Sequence, residues 1–506
     1  MSFLLGLRSC FIMDSTLTKN KPSLDNVPVE LVERIAKDLD LASIRSLRLT
    51  TKSLGDLCCG PCFKRYLSHQ RIDLTPDSIQ TLCQIATHPM LGSAVQHLTI
   101  LAVIYDKSEL DSMLSTKRGR FISRNPMGGS AYEPCPTDEQ LNEFQHSREK
   151  LVERMRGQQQ LKSDESEVQL LTDALRKFGT LAVLAVKAAV DQGYDEYVST
   201  SLVREWQPVW VRAAKVYQTT MLAIARSNVA VDSLQVFKVT QRCSIPTWDV
   251  NAPLPAFEAA NFARAAKYIK AFSISISTKV KNDAHEIDSP DACFSEDDRE
   301  TVADGNYPGV ARLLAQMPNL KSLDLHQYVT LRDRPNSHVK VFTPIADDVK
   351  FPSLRHCALR GIRCNESSLL TFLRRHNDLL TLELHEIHLH SGSWAAVFAH
   401  MAGMPQLQRV ELSNLWKPGD GTVHLAPLSR KWKSEWGPSG NETDQRDCSF
   451  PCAGANGGLH VYARNFTAEE IRNERFEFAE GPRGRAMGSP RIMWWSETRR
   501  AEYGPP

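Results

Sequence analysis

The stretch Leu320-Lys321-Ser322-Leu323-Asp324-Leu325 places apolar residues at its first, fourth and sixth positions, and the same spacing returns at 354–359, 379–384 and 407–412. Earlier copies stand at 95–100, 234–239 and 269–274. The fourth and sixth positions share one face of an extended chain, so each copy predicts a short strand buried on that face. The last four copies begin 34, 25 and 28 residues apart (320 to 354, 354 to 379, 379 to 407). Helical stripes fill the intervals: Val310, Leu313, Leu314 and Met317 before 320, Leu369, Leu370 and Leu373 before 379, and Trp394, Val397, Phe398 and Met401 before 407. A strand–helix unit of this size cannot bury its apolar face alone, so successive units must stack. The strands at 320, 354, 379 and 407 are therefore expected to lie parallel and adjacent in one sheet.

This spacing is the L-x-x-L-x-L core of a leucine-rich repeat, at a period near or somewhat above the usual ~20–29 residues. The fold expected is α/β: an N-terminal three-helix module, then an irregular leucine-rich-repeat solenoid with a parallel sheet and a helical insertion. The spacing is irregular and the asparagine of the standard repeat is missing, so unrelated strand–helix units in an ordinary α/β domain also remain open. Lys321, Ser322, Asp324, Arg355, Thr381, Glu383, Arg409 and Glu411 alternate with the apolar positions and are expected on the opposite, concave face. They mix signs and point to no single ligand.

Ahead of the repeats, Leu24 to Leu57 carries three helix signatures in about 35 residues, too few for an independent core, so another body must cover some of its apolar surface. Pro28 suits a first helical turn, and Leu31, Ile35 and Leu39 recur four apart. Asp40 can cap a second helix bearing Ile44 and Leu47, and Thr50 or Thr51 a third bearing Leu54 and Leu57. These helices are also compatible with the start of a larger helical domain. The order Leu24, Val27, Pro28, Glu30, Leu31, Ile35, Leu39, Leu41, Ile44, Leu47, Arg48, Leu49, Ser53, Leu54 resembles an F-box, with Val27-Pro28 where Leu-Pro is usual and Leu49-Thr50 where Val-Cys is common. The resemblance covers roughly residues 23–70. It implies docking on a Skp-type adaptor, and through it on a cullin-RING ubiquitin ligase, with Leu24, Val27, Pro28, Leu31, Ile35, Leu39, Leu41, Ile44, Leu47, Leu49 and Leu54 as adaptor-binding residues. The overall design is similar to the divergent F-box leucine-rich-repeat proteins of filamentous fungi, in which the repeats hold an unknown protein substrate.

The remaining chain divides as follows. Residues 1–22 form a flexible lead-in, and 71–416 hold the repeats. Ile72-Asp73-Leu74 predicts a strand and Ser78–Ile85 a helix; 116–137, with Gly128-Gly129 and three prolines, reads as an exposed loop. Residues 138–230 read as a largely helical insertion on the outer face, with Trp206 and Trp210 as core anchors. Residues 282–304 carry nine acidic side chains against one basic one, the mark of an exposed acidic loop. Residues 417–506 form an irregular extension, with 459–462 as a final strand and Trp494-Trp495 folding back.

Composition excludes more than it identifies. With 61 Lys and Arg against 59 Asp and Glu there is no basic footprint for nucleic acid, and no apolar run approaches the ~20 residues that span a bilayer, so no membrane partner is expected. The twelve cysteines are sporadic, as for free thiols in the cytoplasm or nucleus. His385-Glu386-Ile387-His388-Leu389-His390 offers three imidazoles for a metal but lacks the zincin spacing, and a strand leaving into a turn is polar anyway. Cys58, Cys59 and Cys62, like Cys448 and Cys452, lack a second ligand pair. No Walker loop or nucleophile elbow occurs, and the Gly-rich 481–488 does not open a helix. No catalytic, cofactor-binding or metal residue is therefore assigned. The reading is a non-catalytic substrate receptor; a scaffold that binds the adaptor without delivering targets, or an enzyme with its site in 138–230 or the tail, are the alternatives.

Overall fold

The computed structural model describes residues 27–117, 121–124, 130–132, 134–160, 164–193, 207–238, 240, 243–277, 304–328, 339–413, 415–418, 421–425, 463–473 and 478–483. Four short helices come first, α1 (Val29–Lys37), α2 (Leu41–Thr50), α3 (Lys52–Leu57) and α4 (Pro61–Leu67), leading into β1 (His69–Asp73). The first half of the sheet follows: α5 (Pro76–Thr87), β2 (His97–Tyr105), α6 (Ser108–Thr116), β3 (Phe121–Arg124), β4 (Ser130–Tyr132), α7 (Asp138–Gln160), α8 (Asp164–Phe178), β5 (Thr180–Asp191), α9 (Gln207–Ser227) and β6 (Ala230–Val236). Next are β7 (Ile245–Pro246), α10 (Thr247–Asn251), α11 (Leu254–Ala259), α12 (Phe262–Ala266), β8 (Ala271–Ser277), α13 (Pro308–Ala315), β9 (Ser322–Tyr328) and α14 (Val339–Asp348). The chain then alternates through β10 (His356–Arg360), β11 (Arg363–Asn365), α15 (Glu366–Arg375), β12 (Thr381–His385), β13 (His388–Ser391), α16 (Trp394–Ala402), β14 (Arg409–Ser413), β15 (Trp416–Lys417) and β16 (Gly421–Leu425). It ends, within the described residues, on β17 (Ala463–Thr467), α17 (Ala468–Arg472) and β18 (Phe478–Arg483).

The protein is α/β, with a mostly parallel eleven-stranded sheet in the order β1-β2-β5-β6-β8-β9-β10-β12-β14-β17, plus β7 beside β8. Strand order follows chain order, as short connections through a helix require. The four expected strands pair in parallel: Leu325, Leu359, Leu384 and Leu412 are aligned across β9, β10, β12 and β14. One row on the other side of the pleat runs unbroken from Thr99 through Ala185, Gln235, Ser273, Asp324, Ala358 and Glu383 to Glu411. β17 joins β14 antiparallel and closes that edge, burying Phe466 and, from α17, Ile471. A smaller sheet, β11-β13-β15-β16-β18, is parallel at its start and antiparallel at its end.

Three expectations are corrected. The segment 138–230 is not wholly helical: β5 runs through it and is a central strand, its Leu181, Leu184 and Val186 repeating the first–fourth–sixth spacing. Nor does the segment sit on one face. Leu171 and Leu175 of α8, with Tyr217 and Met221 of α9, share the main core with Leu98, Ile100 and Ala102 of β2. Leu101, Val103 and Tyr105 of the same strand pack instead with Leu110 and Met113 of α6 and Leu151 of α7, so α7 covers the opposite face. The segment 116–137 holds an antiparallel pair, β3 and β4. Trp210 is buried, whereas Trp206, 283–303, 459–462 and Trp494-Trp495 lie outside the described residues, as do 1–26. No helix among the described residues is long and apolar enough to cross a membrane.

Candidate functional site

The N-terminal module is built on very little. Its core is Val32 and Ala36 of α1, Ile44 of α2, Cys58, Cys59, Phe63 of α4, and Leu91 from the turn before β2, which ties it to the sheet. Asp40 accepts a hydrogen bond from the Ser43 amide (2.7 Å) to start α2, and Thr51 one from Leu54 (3.1 Å) to start α3, as their positions predict. The Ser43 contacts hold the Asp40 carboxyl below its ordinary value. Pro28 stands one residue ahead of α1, its carbonyl accepting from Leu31 and Val32. The Arg48 guanidinium lies 4.1 Å over the Phe63 ring and donates to Gly55 O (3.3 Å), locking α2 onto α3 and α4. Glu33 accepts from the Cys62 amide (3.0 Å), joining α1 to α4.

The outward side is apolar too. On α1, Val32 and Ala36 are 2% and 1% exposed, while Leu31 and Ile35 are 50% and 45% exposed. Leu49 on α2 is 75% exposed. Between α1, α2 and α3 runs a groove of about 520 Å³ whose walls include Ile35, Leu39, Leu47 and Leu54, with Ser43, Ser46 and Thr50 along it. The predicted residues therefore separate. Pro28, Leu31, Ile35 and Leu49 reach solvent; Val27, Leu39, Leu41 and Leu47 are half-buried; Leu54 is buried but lines the groove. Ile44 has no exposed surface, so it belongs to the module's own core rather than to a contact surface, and Leu24 lies outside the described residues. Sequence reasoning missed the small residues of the groove, Ala42, Ser43, Ser46 and Thr50, because nothing in their type or spacing sets them apart from any solvated helix face.

On the sheet face away from α13–α16, side chains of β9, β10, β12 and β14 form a charge ladder. Arg360 bridges Asp324 (3.2 Å) and Glu383 (2.9 Å); Lys238 also meets Asp324 (3.3 Å), and Arg409 meets Glu411 (3.1 Å). His385 stands between Glu383 (3.6 Å) and Glu411 (3.7 Å), with Nδ1 2.6 Å from Ser413 Oγ. The His385 contact and the Arg360 charge hold the Glu383 carboxyl below its ordinary value.

The candidate metal residues do not converge. His385 sits in the ladder, His388 stacks on Trp416 in the smaller sheet (5.1 Å), and His390 is exposed. Burial pushes the Cys58 thiol up, and a hydrogen bond to Glu33 does the same for Cys62; both favour the protonated form that binds metal poorly. Cys448 and Cys452 lie outside the described residues. Among the described residues no three His, Cys, Asp or Glu side chains gather as a metal cluster.

No protein-family model matches this chain, and no curated protein matches its sequence.

Proposed function

We propose that the chain is an F-box substrate receptor of an SCF-type ubiquitin ligase, its N-terminal module docking on a Skp-type adaptor and its repeat face holding a target protein. The observation that carries this reading is the two-sided α1: Val32 and Ala36 supply the module's own core while Leu31 and Ile35, on the same helix, are left for a partner beside an apolar groove. A helix that spends one stripe on its own fold and presents another is suited to helix-in-groove docking. The strand–helix alternation of 320–413 supports the leucine-rich-repeat reading of the remainder, and the ladder from Asp324 to Glu411 is the polar face that a target would meet. Such a receptor breaks and forms no bonds. It raises the effective concentration of target lysines near a charged ubiquitin carrier held by other subunits.

The test is co-purification. Wild-type chain should capture a Skp-type adaptor and a cullin, and a Pro28→Ala/Leu31→Ala chain should capture less of both. Failure of the wild type to bind the adaptor overturns the proposal. If it binds but no captured protein accumulates when the chain is deleted, the molecule is an adaptor-bound scaffold.

A further inference from the structure

The row of side chains on the sheet face away from α8 and α9 changes character along its length. From β9 to β14 it is polar and charged, but on β2 it presents Leu101, Val103 and Tyr105. This apolar strip is covered by α6 and α7, and α7 covers it thinly. Among residues 138–158, whose burial is described, only Leu151 is buried; Leu141, Phe144, Val152 and Met155 are half-buried. By contrast α9 buries Val209, Trp210, Ala213, Val216, Tyr217 and Met221, among others, against the other face. The remaining ties of α7 are polar. Arg148 pairs with Asp111 of α6, Arg154 with Asp191 at the end of β5 (2.7 Å), and the Gln158 amide oxygen accepts from the Arg212 guanidinium of α9 (3.0 Å). All three can be replaced by water once the helix leaves, which a fully apolar contact cannot do.

Helix α7 is also equipped to persist as a helix. It is rich in Glu, Gln and Arg, Thr137 and Gln140 exchange hydrogen bonds at its start, and Gln145 bonds Glu149 one turn on. Its apolar residues Leu141, Phe144, Leu151 and Met155 follow a three-and-four spacing with Arg148 between them, a narrow stripe on an otherwise polar rod.

We infer that α7 is a displaceable cover, and that the strip Leu101–Val103–Tyr105 with Leu110 and Met113 is a second docking surface that takes one amphipathic helix of a partner when α7 lifts. The occupant is read from the cover: a single helix with a narrow apolar stripe is what the strip already accommodates. Segments that open locally are those with few buried apolar contacts, and α7 has the fewest of the long helices that bear on β2 and β5. The inference does not depend on adaptor binding, and its test uses neither adaptor nor cullin.

Hydrogen exchange on the full wild-type chain reads the opening directly. Amides of 138–160 should exchange at least tenfold faster than those of 207–227; equal protection would make α7 a permanent layer and overturn the inference. Docking is read by fluorescence anisotropy with a labelled synthetic peptide of residues 138–160. The full-length Leu151→Asp chain, its own cover released, should bind this peptide at least tenfold more tightly than wild type does, and a Leu151→Asp peptide should not bind. A Leu151→Asp chain that keeps its near-ultraviolet circular dichroism yet ignores the wild-type peptide refutes the docking surface. Should that chain misfold, Arg148→Glu/Arg154→Glu, which cuts only the polar ties, takes its place with the same expected and refuting results.

Discussion

Replacing Leu31 and Ile35 together by alanine separates docking from folding on a single helix. Full burial of a Leu or Ile side chain is worth about 1.5–3 kcal/mol. Half of each is exposed in the free chain, so a partner that covers the rest gains about 1 kcal/mol per residue, or about 2 kcal/mol for the pair. At about 1.4 kcal/mol per tenfold, the double variant should bind the adaptor roughly 30-fold more weakly. Folding should suffer little, since no cavity forms at exposed positions and alanine favours helix over isoleucine. The control is Ile44→Ala, which leaves the outer surface intact but opens the module's core, where such truncations cost about 2–5 kcal/mol. Calorimetric titration with purified adaptor and thermal unfolding, run on both variants, distinguish the two effects. Wild-type affinity for the Leu31→Ala/Ile35→Ala chain, or a loss that merely tracks a fall in melting temperature, would refute the assignment of this face as the contact.

Three further outcomes follow from individual environments. Gly361 sits at φ +66°, and a Cβ there would lie 2.1 Å from Gln327 O, so Gly361→Ala should destabilise the β10–β11 corner by about 2 kcal/mol or more in urea unfolding. Because the folded Glu383 carboxyl titrates below its unfolded value, its stabilisation is fully present above the usual carboxylate pKa and disappears as pH falls through the depressed one. The stability gap between wild type and Glu383→Gln should therefore be open at pH 7 and narrow below about pH 4, as an acid-unfolding series would show. Burial pushes the Cys364 thiol up to about 12 and also raises those of Cys243 and Cys357, whereas Cys135 is exposed; brief alkylation of native protein at pH 8 followed by mass mapping should label Cys135 and spare the other three.

Much of 322–412 was legible because β9, β12 and β14 alternate between a buried apolar face and a wetter polar one. Leu323 and Leu325, Leu382 and Leu384, and Val410 and Leu412 are buried while Asp324, Glu383 and Glu411 remain partly wet, so the amphipathic rhythm is written in residue type. β5 obscured itself by the same logic. With α8 and α9 on one side and the small Ala185 and Ala189 buried on the other, Leu181 to Val190 needs few polar positions and becomes a nearly unbroken apolar run, which by periodicity alone cannot be told from a buried helix. In the helical module the capping residues Asp40 and Thr51 followed from local chemistry, whereas Ile44, expected at the adaptor contact, lies in the core, and periodicity alone gave no sign of which way the Leu31-Ile35 stripe faced.

The chain's residue order thus determines where the later strands and their helices fall, that those strands run parallel, and that the first helices carry more apolar surface than so small a module can bury. Only the tertiary structure decides that Val32 and Ala36 turn inward and leave Leu31 and Ile35 outside, and that α7 crosses to the face opposite α8 and α9. The reason is physical. Periodicity records that a helix has an apolar side, whereas the choice of what that side meets depends on partners distant in sequence, and α7 met β2, whose second face is apolar as well.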